Sequence, residues 1–505
     1  MNRHVTASLC LPFVLVSALF QTAAAEMDPA ASGDVFVQLF EWRWDDVAKE
    51  CERVLGPAGI RAVQVSPPNE HIDHHALPSP YQDAWWARYQ PVSYRLDSRS
   101  GSEKAFREMV ERCAKSGVEV YADAVLNHMA NNGQTGVAGS TFDRKARRYE
   151  DYADAQFHEF CVIDGEDYWL RDEPSDAVAK ERARRVRDCQ LGELPDLATE
   201  REDVRATLRA YLNKLLATGV KGLRVDAAKH MQSADIAAIV ADLDQSAYLF
   251  QEVIDTRGQS VNVEEYLPNG AITEFLYSLR IGEAFAQEKL SALQSLTQAG
   301  GLLPSSAAVV FVDNHDNQRG HGMAASTTHR DGARYQLATT FMLAWPYGYP
   351  RLMSSYEWGG VDDHRGPPAD DSGATLPIYR ADGSSDCGAG RWICEHRSAE
   401  TLRMVDFRRR AHAVDATTVA NWWDNGSTAV AFSLRSPEAA FAQVVINSSK
   451  QALEAQVSTS LPDGGYCALG DVETPCKKHE VRDGELAISL APESSLLLER
   501  SRATP

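Results

Sequence analysis

Short apolar runs alternate with amphipathic segments from about residue 34 onward, and this alternation limits the folds open to the chain. The segments 44–55 and 101–117 carry apolar side chains at helical spacing, and the apolar runs between such segments predict strands. The predicted strands are 35–40, 62–67, 118–128, 219–228, 248–254, 271–275, 307–316 and 347–355. This order indicates an α/β fold, either a (β/α)8 TIM barrel or, failing that, a doubly wound parallel sheet.

Two stretches break the alternation and divide the chain into regions. Residues 129–198 are rich in Asp, Arg and Gly and are too many for an ordinary loop, so we expect a subdomain inserted after strand 3. From 415 to 505, short strands with turn signals predict a C-terminal antiparallel β-sandwich domain. The barrel is then expected to consist of residues 26–128 and 199–414, closed by a helix at 398–413.

The N-terminal residues 1–25 have the pattern of a signal peptide rather than of a membrane anchor. Arg3 and His4 form a basic start, residues 9–20 are apolar, and alanines at 23–25 offer a cleavage site. The apolar run is shorter than the roughly 20 residues that span a bilayer. The sequence therefore predicts a secreted, extracellular protein.

Nine cysteines occur, and removal of the signal peptide with Cys10 would leave eight. An even number in an oxidising compartment favours disulfides, and the lack of C-x-x-C spacing argues against structural zinc. Proximity favours the pairs Cys387–Cys394 and Cys467–Cys476, although eight cysteines allow on the order of 100 connectivities.

The net charge of −20 argues against nucleic acid as a partner, because phosphate binding needs a basic surface. An acidic chain of this kind is compatible with a soluble enzyme that acts on an uncharged substrate. Past the N-terminal segment, we find no stretch that is long and apolar enough to suggest a membrane span. We expect a monomer without membrane or nucleic-acid partners.

Three acidic residues lie at the carboxyl ends of predicted strands: Asp226, Glu252 and Asp316. In a barrel these ends build the active site, whereas one such acid alone is more often a loop end or a helix cap. Side chains alternate across a strand, which places Arg224 with Asp226 on one face, and Asn314 with Asp316 on another. The residues then expected to face the helices are Leu223, Val225, Val309 and Phe311.

Four segments resemble, in the same order, the motif regions of a known family, the α-amylase family of glycoside hydrolases. They are DAVLNH (123–128), GLRVDAAKH (222–230), QEVI (251–254) and FVDNHDNQRGHG (311–322). Further segments extend the likeness over nearly all of the mature chain: VQLFEWRWDDVAKEC (37–51), VQVSPPNEH (63–71), WWARYQPVSYRL (85–96), PYGYPRLMSSYEW (346–358) and NWWDNGS (421–427). They resemble the animal-type, chloride-dependent α-amylases in particular.

The resemblance implies a retaining glycosidase that hydrolyses internal α-1,4-glucosidic bonds of starch, glycogen and maltooligosaccharides. It assigns the nucleophile to Asp226, the general acid/base to Glu252 and the orientation of the sugar hydroxyls to Asp316, and retention requires such a carboxyl pair. Asp123 and Asp313 are runner-up acids, and we interpret Asp123 as structural. Two alternatives stay open, namely a related glycosyltransferase or exo-acting hydrolase and a catalytically silent carbohydrate-binding protein.

The resemblance also implies positions for the sugar and for calcium. The sugar-binding positions are Trp85, Trp86, Tyr89, Gln90, His128, Lys229, His230 and His315. The calcium positions are Asn127, Asp196 and the backbone carbonyls of Arg187 and His230, which are oxygen donors of the kind that hard cations take. Without the resemblance, a lone histidine is more often structural, and most such Asn or Asp residues cap turns.

The chloride positions implied by the resemblance are Arg224, Asn314 and Arg351. Two guanidinium charges near Glu252 would favour its ionised form, and a bound anion would offset them and keep this acid protonated. Activation by chloride is therefore expected. The competing interpretation of the arginine at 224 is a plain ion pair with Asp226.

The family pattern also suggests a disulfide pairing and shows two departures. It pairs Cys51 with Cys113, Cys161 with Cys189, Cys387 with Cys394, and Cys467 with Cys476. A fifth family bridge is absent, with Asp97 and Ala130 near the expected places. After QRGHG (318–322), a glycine-rich mobile loop of the family is replaced by MAASTTH (323–329), so its motion on substrate binding is in doubt.

Overall fold

The computed structural model describes residues 34–171, 174–296, 300–360, 363–388, 391–471 and 475–504. The predicted signal peptide, residues 1–25, lies outside the described residues. Within them, the structure contains no helix that combines the length and the apolar character needed to cross a membrane.

Eight parallel strands close into a barrel, which confirms the predicted TIM-barrel fold. The strands are β1 Phe36–Leu39, β2 Ala62–Val65, β3 Glu119–Val125, β4 Gly222–Asp226, β5 Tyr248–Gln251, β6 Ala271–Thr273, β7 Ala308–Val310 and β8 Tyr349–Ser354. Each strand pairs with its neighbour in sequence, and β1 also pairs with β8 to close the ring. Every predicted strand is present, and the carboxyl ends of all eight point to one face of the barrel.

Helices alternate with these strands, except for the helix at 176–188, which lies inside the segment 129–198. They are α1 Trp44–Glu50, α2 Glu103–Lys115, α3 Asp176–Asp188, α4 Glu202–Leu216, α5 Ser233–Val240, α6 Phe275–Ala286, α7 Ala333–Ala344 and α8 Ala399–Ala413. In α2 the side chains at 106, 109, 110 and 113 are buried, which is the spacing of one helix face. Ser102 accepts a hydrogen bond from the backbone N–H of Ala105 and caps this helix.

The interior of the barrel is filled by aromatic and aliphatic side chains from several strands. Phe36, Tyr121, Phe250 and Val309 belong to this inner cluster, whereas Leu223 and Val225 lie in the layer between barrel and helices as predicted. The prediction that Val309 faces the helices is therefore wrong. Because β7 already ends at Val310, residues 313–316 lie beyond the strand, and strand alternation does not apply to them.

The C-terminal region forms one antiparallel sheet of eight strands that folds over on itself. Its strands are β9 Thr418–Asp424, β10 Ala429–Arg435, β11 Ala440–Asn447, β12 Leu453–Ser458, β13 Gly464–Ala468, β14 Lys478–Arg482, β15 Glu485–Leu490 and β16 Ser494–Thr504. Ala431, Ile488 and Leu498 from distant strands meet in one core, and Asn421 donates a hydrogen bond to Ser460 from the opposite edge at 3.0 Å. This packing agrees with the predicted antiparallel sandwich.

Aromatic side chains connect the C-terminal sheet to the barrel. The ring of Trp345, which follows α7, lies 5.9 Å from that of Trp422 and 5.3 Å from that of Phe432. Phe341 of α7 contacts the same phenylalanine at 5.9 Å. The two regions therefore share a hydrophobic interface.

Four disulfides join the eight cysteines, and their pairing confirms the one that the family resemblance suggests. The bridges are Cys51–Cys113, Cys161–Cys189, Cys387–Cys394 and Cys467–Cys476. One of them, Cys161–Cys189, lies inside the segment 129–198 that separates β3 from α4. It ties α3 to the loop that precedes it.

Candidate active site

A cleft of about 810 Å³ opens between the carboxyl ends of the barrel strands and the segment 129–198. All three acids predicted at strand ends line it, namely Asp226, Glu252 and Asp316. Every predicted sugar-binding residue lines it as well: Trp85, Trp86, Tyr89, Gln90, His128, Lys229, His230 and His315. The structure thus brings together residues that are spread from position 85 to position 316 of the sequence.

One buried guanidinium group organises the carboxyl groups at the floor of this cleft. Nη1 of Arg224 donates to Oδ1 of Asp123 at 2.6 Å and to Oδ1 of Asp226 at 2.8 Å. Its Nη2 lies 2.5 Å from Oε1 of Glu252. The register of the sheet produces this contact, because Arg224 of β4 pairs with Asp123 of β3. A single positive charge therefore bridges Asp226 and Glu252.

Asp226 and Asp316 hold protons more tightly than free carboxylic acids do. Burial raises the pKa of Asp226 well above its usual range, and the neighbouring Glu252 adds to the effect against the opposing charge of Arg224. Burial, together with Glu252, raises the pKa of Asp316 to about 7. One guanidinium cannot neutralise all the acids around it, so their titrations are coupled.

A left-handed turn after β4 fixes the position of Glu252. Ala227 has φ 49° and ψ 30°, a conformation that residues other than glycine seldom adopt. Its backbone N–H points at the acid and donates to Oε2 of Glu252 at 3.0 Å. The backbone of Glu252 is held in turn, because its N–H donates to Val225 and its carbonyl accepts from Lys229.

A tight turn after β7 presents Asp316 to the same cleft. The side-chain oxygen of Asn314 accepts hydrogen bonds from the backbone N–H groups of Asp316 and Asn317, at 3.1 and 2.8 Å. His315 lies between Asn314 and Asp316 in this turn, and its Nε2 is 3.2 Å from Oδ2 of Asp316. The ring of His315 stacks on that of Tyr89 with centroids 5.3 Å apart and planes 8° apart.

His128, His230 and His315 of the cleft are neutral at physiological pH, because their pKa values are lowered. Burial lowers the pKa of His128 to about 4 and that of His230 to about 3. Burial and nearby arginines lower the pKa of His315 well below its usual value. Neutral imidazoles offer one donor and one acceptor each, which suits binding to sugar hydroxyl groups.

The chain was compared with known proteins. Residues 79–252 match a family model described as "Alpha amylase, catalytic domain". The mouse protein "Pancreatic alpha-amylase 2a5" is 40% identical over 90% of this chain and 91% of its own length. The pig "Pancreatic alpha-amylase" is 39% identical over 95% and 96%. The chain belongs to the α-amylase family.

Among solved structures, α-amylase I of Eisenia fetida, described as a mutant in complex with maltohexaose, is similar to this chain. Its TM-score is 0.81 with 36% sequence identity, and the match covers 92% of this chain and 97% of the other. The wild-type form of the same enzyme matches equally well. As a member of the α-amylase family, the chain is a glycoside hydrolase.

The runner-up acids of this α-amylase family member do not line the cleft. Asp123 lies beneath it, where its Oδ2 accepts from the hydroxyl of Tyr89 at 3.1 Å and its Oδ1 accepts from Arg224. Asp313 accepts from Gln318 at 2.8 Å, and burial raises its pKa to about 7. Asp123 therefore contacts the cluster from beneath the cleft, whereas Asp313 bonds to Gln318.

Several residues that line the cleft were not predicted from the sequence. They include Tyr168, Trp169, Ile254, Gln259 and His321. Lys229 donates to the carbonyl of Ile254 at 2.5 Å, contacts Gln259 through its ammonium group, and lies 5.1 Å from the ring of Tyr168. Burial lowers the pKa of Lys229 to about 8. The adjacent aromatic residues 168 and 169 were the one available signal, but only the fold brings their segment to the cleft.

The loop after β3 and the loop before α4 pair like antiparallel strands at His128 and Asp196. This pairing brings together positions that are expected to bind calcium in the α-amylase family. The carbonyl of Asn127 accepts from the backbone N–H of Leu197, next to Asp196. The ring of His230 bonds to the carbonyl of Val186 at 2.9 Å, which brings Arg187 to the same place. Oδ2 of Asp196 lies 2.6 Å from the ring of His158, whereas its Oδ1 is buried and has no hydrogen-bond partner within the described residues.

This donor set fits a hard cation. An unpaired, buried carboxylate oxygen costs free energy unless a positive charge compensates it. Burial raises the pKa of Asp196 to about 7 even though the ring of His158 lies 2.6 Å away and opposes the shift. In the described part of the chain, no group of three or more His, Cys, Asp or Glu side chains could hold a metal ion. The oxygens of an amide and of backbone carbonyls would therefore complete the coordination.

The positions expected to bind chloride in the α-amylase family leave buried N–H groups unpaired. Arg351 lies over the ring of Phe311 at 4.6 Å, and burial together with the charge of Arg224 lowers its pKa to about 10. Nε of Arg224 and Nη2 of Arg351 are buried without a partner among the described residues. Two like-charged groups with free donors form a set that suits a small anion.

Proposed function

We propose that the chain is a secreted, endo-acting α-amylase that hydrolyses internal α-1,4-glucosidic bonds of starch and glycogen with retention of configuration. The observation that carries this proposal is the contact of one guanidinium group with both Asp226 and Glu252 at the floor of the cleft. Retaining glycosidases need two carboxyl groups about 5 Å apart. Adjacent nitrogens of Arg224 contact the two groups and so hold them side by side.

Asp226 is the nucleophile in this mechanism and Glu252 is the general acid. Glu252 gives its proton to the glycosidic oxygen while a carboxylate oxygen of Asp226 forms a bond to the anomeric carbon, and the leaving chain departs. Glu252 then takes a proton from water, which attacks the same carbon and releases Asp226. Asp316 hydrogen-bonds the sugar hydroxyls and stabilises the positive charge of the transition state.

The cleft walls position the sugar for these steps. Trp85, Trp86 and Tyr89 offer apolar ring surface, which suits the apolar faces of glucose units. Nδ1 of His230 bonds to the carbonyl of Val186, which leaves Nε2 of this neutral ring for a sugar hydroxyl group. A neutral, hydroxyl-rich substrate agrees with a cleft whose carboxyl groups are concentrated at one point.

Calcium and chloride are proposed as resident ions. Asn127, Asp196 and the carbonyls of Arg187 and His230 would hold calcium, and its chemistry would be structural, joining the segment 129–198 to the barrel. Arg224, Asn314 and Arg351 would hold chloride, an anion that offsets the guanidinium charge beside Glu252. In both cases unpaired buried groups of this chain support the assignment.

Secretion is proposed from the signal-peptide pattern and is supported by four disulfides, which persist in oxidising compartments. We propose that the protein acts as a monomer on maltooligosaccharides, starch and glycogen. The complex of the Eisenia fetida enzyme with maltohexaose shows that a relative binds such an oligosaccharide.

The variant Glu252→Gln tests the assigned chemistry. It keeps the shape of the side chain but removes its acid, so kcat on maltoheptaose should fall by several orders of magnitude while binding of the oligosaccharide persists. A matched control is Glu181→Gln on the exposed face of α3, where Glu181 pairs with Arg184. Retention of full activity by Glu252→Gln would refute the assigned roles.

Two further measurements test the finer parts of the proposal. A rapid early fall in the chain length of linear amylose supports endo-hydrolysis, whereas transfer products or release of short sugars from chain ends would favour the alternatives. Assays of the dialysed enzyme with and without chloride should differ in rate and pH optimum. Identical profiles would overturn the proposed anion site.

A further inference from the structure

The segment between the motifs at 63–71 and 85–96 exposes an aromatic side chain. Tyr81 is 41% exposed and is one of five large hydrophobic side chains that the described part of the chain leaves open to solvent. Exposed rings at the edge of a cleft mark binding surfaces. We propose that Tyr81, Trp86 and His364 form an outer platform that binds an additional glucose unit of a long α-glucan.

The platform is continuous with the cleft through Trp86, which lines it. The ring centroids of Tyr81 and Trp86 lie 5.9 Å apart, and those of Tyr81 and His364 lie 4.8 Å apart. The indole N–H of Trp86 donates to Nδ1 of His364 at 2.9 Å. The ring plane of Tyr81 is tilted by 60° to that of Trp86 and by 73° to that of His364, so neither of these two rings is stacked parallel to the tyrosine.

The loop that carries the platform is held in place before any ligand binds. The backbone N–H of Asp83 donates to the carbonyl of His74 at 2.9 Å, and that of Trp85 donates to the carbonyl of His364 at 3.1 Å. The loop after β8 lies against it so closely that a side chain at Gly366 would come within 1.9 Å of the carbonyl oxygen of Asp83. A ring held in this way loses little conformational entropy on binding.

The chemistry of the platform favours an uncharged, hydroxyl-bearing ligand. Next to the tyrosine along the chain, Gln82 offers an exposed amide, whose nitrogen lies 3.4 Å from the ring of His75. The carboxylate of Asp83 faces the rings of His74 and His75 at 3.7 and 3.5 Å rather than the tyrosine. A glucose unit presents an apolar face to such a ring and hydroxyl groups to its polar neighbours. The inference rests on the proposed function, because it extends the same cleft.

Hydrolysis of a length series tests the platform. The values of kcat/KM for maltotriose, maltopentaose, maltoheptaose and short amylose are measured for the wild type, Tyr81→Ala and Tyr81→Phe. Removal of the ring should lower the ratio of kcat/KM for long over short substrates by about three- to tenfold, the size expected for one aromatic contact. Tyr81→Phe keeps the ring and should retain most of this ratio.

Phe160→Ala is the matched control, because Phe160 is 76% exposed but does not line the cleft. Its ratio should equal that of the wild type. An unchanged ratio in Tyr81→Ala, or an equal loss on all lengths, would overturn the platform. A wild type that splits no α-glucan would instead refute the proposed function. In that case the platform is tested by calorimetry, which compares the affinity of maltoheptaose for Glu252→Gln with its affinity for the double variant Glu252→Gln/Tyr81→Ala.

Discussion

Replacement of Arg224 by lysine tests whether one guanidinium group organises the catalytic carboxyl groups. Arginine reaches Asp123 and Asp226 through one nitrogen and Glu252 through another, at 2.5 to 2.8 Å. Lysine keeps the charge but has a single nitrogen on its stem, so it cannot make contacts on both sides. Arg224→Lys therefore isolates geometry from charge.

The size of the effect follows from the contacts that are lost. A hydrogen bond to a charged group contributes about 1.5–3 kcal/mol, and Arg224→Lys loses at least one of three such contacts. The loss of one contact lowers the rate about 30-fold and the loss of two about 1,000-fold, since about 1.4 kcal/mol corresponds to a factor of ten. We expect kcat/KM on maltoheptaose to fall within these limits.

Initial rates of maltoheptaose hydrolysis at saturating calcium and chloride, with thermal unfolding followed in parallel, measure this effect. The matched control is Arg408→Lys, another buried arginine, which donates to the carbonyls of Leu343, Trp345 and Gly348 away from the cleft. The control should lose stability but keep its rate per folded molecule. A loss of less than threefold in Arg224→Lys with a native unfolding temperature would refute the reasoning.

Three further predictions concern stability. Burial raises the pKa of Asp313 to about 7, so the stability that its proton contributes is complete below about pH 4 and is lost as the pH rises through 7. Urea unfolding should show a decrease of about 2 kcal/mol from pH 5 to 7, and this decrease should shrink in Asp313→Asn. A chelator should lower the thermal stability by about 2.7 kcal/mol at a hundredfold excess of calcium over Kd, and Asp196→Asn should remove most of this difference. Loss of the bridge in Cys161→Ala/Cys189→Ala, which closes a loop of sequence separation 28, should cost about 3.5 kcal/mol and expose residues 129–198 to proteolysis.

The barrel was predictable because its strands are nearly continuous apolar runs bounded by polar residues. Where prediction erred, local polar contacts decided the structure. The run 307–316 was expected to be a strand throughout, but the side chain of Asn314 binds backbone N–H groups that a strand would use and turns the chain after Val310. Periodicity alone does not show where such competition begins.

The acids of the site were predictable from their places at strand ends and from the family resemblance, but their contacts were not. The contact of Asp123 with Arg224 depends on the pairing register of β3 with β4, which no single strand encodes. Tyr168 and Trp169 reach the cleft only because the segment 129–198 folds over the barrel. The exposed Tyr81 had no sequence signal, since it lies between two motifs rather than within one.

The left-handed turn at Ala227 implies a conflict between the stability of the fold and its activity. A residue with a Cβ atom costs about 1 kcal/mol or more in this conformation, yet only this turn aims the N–H of residue 227 at Glu252. Glycine would relieve the strain but loosen the peptide that aims the acid, and a β-branched residue would not fit. Evolution toward greater thermal stability should therefore change many surface positions before it changes Ala227. Variants selected for heat resistance alone should lose activity when residue 227 is replaced.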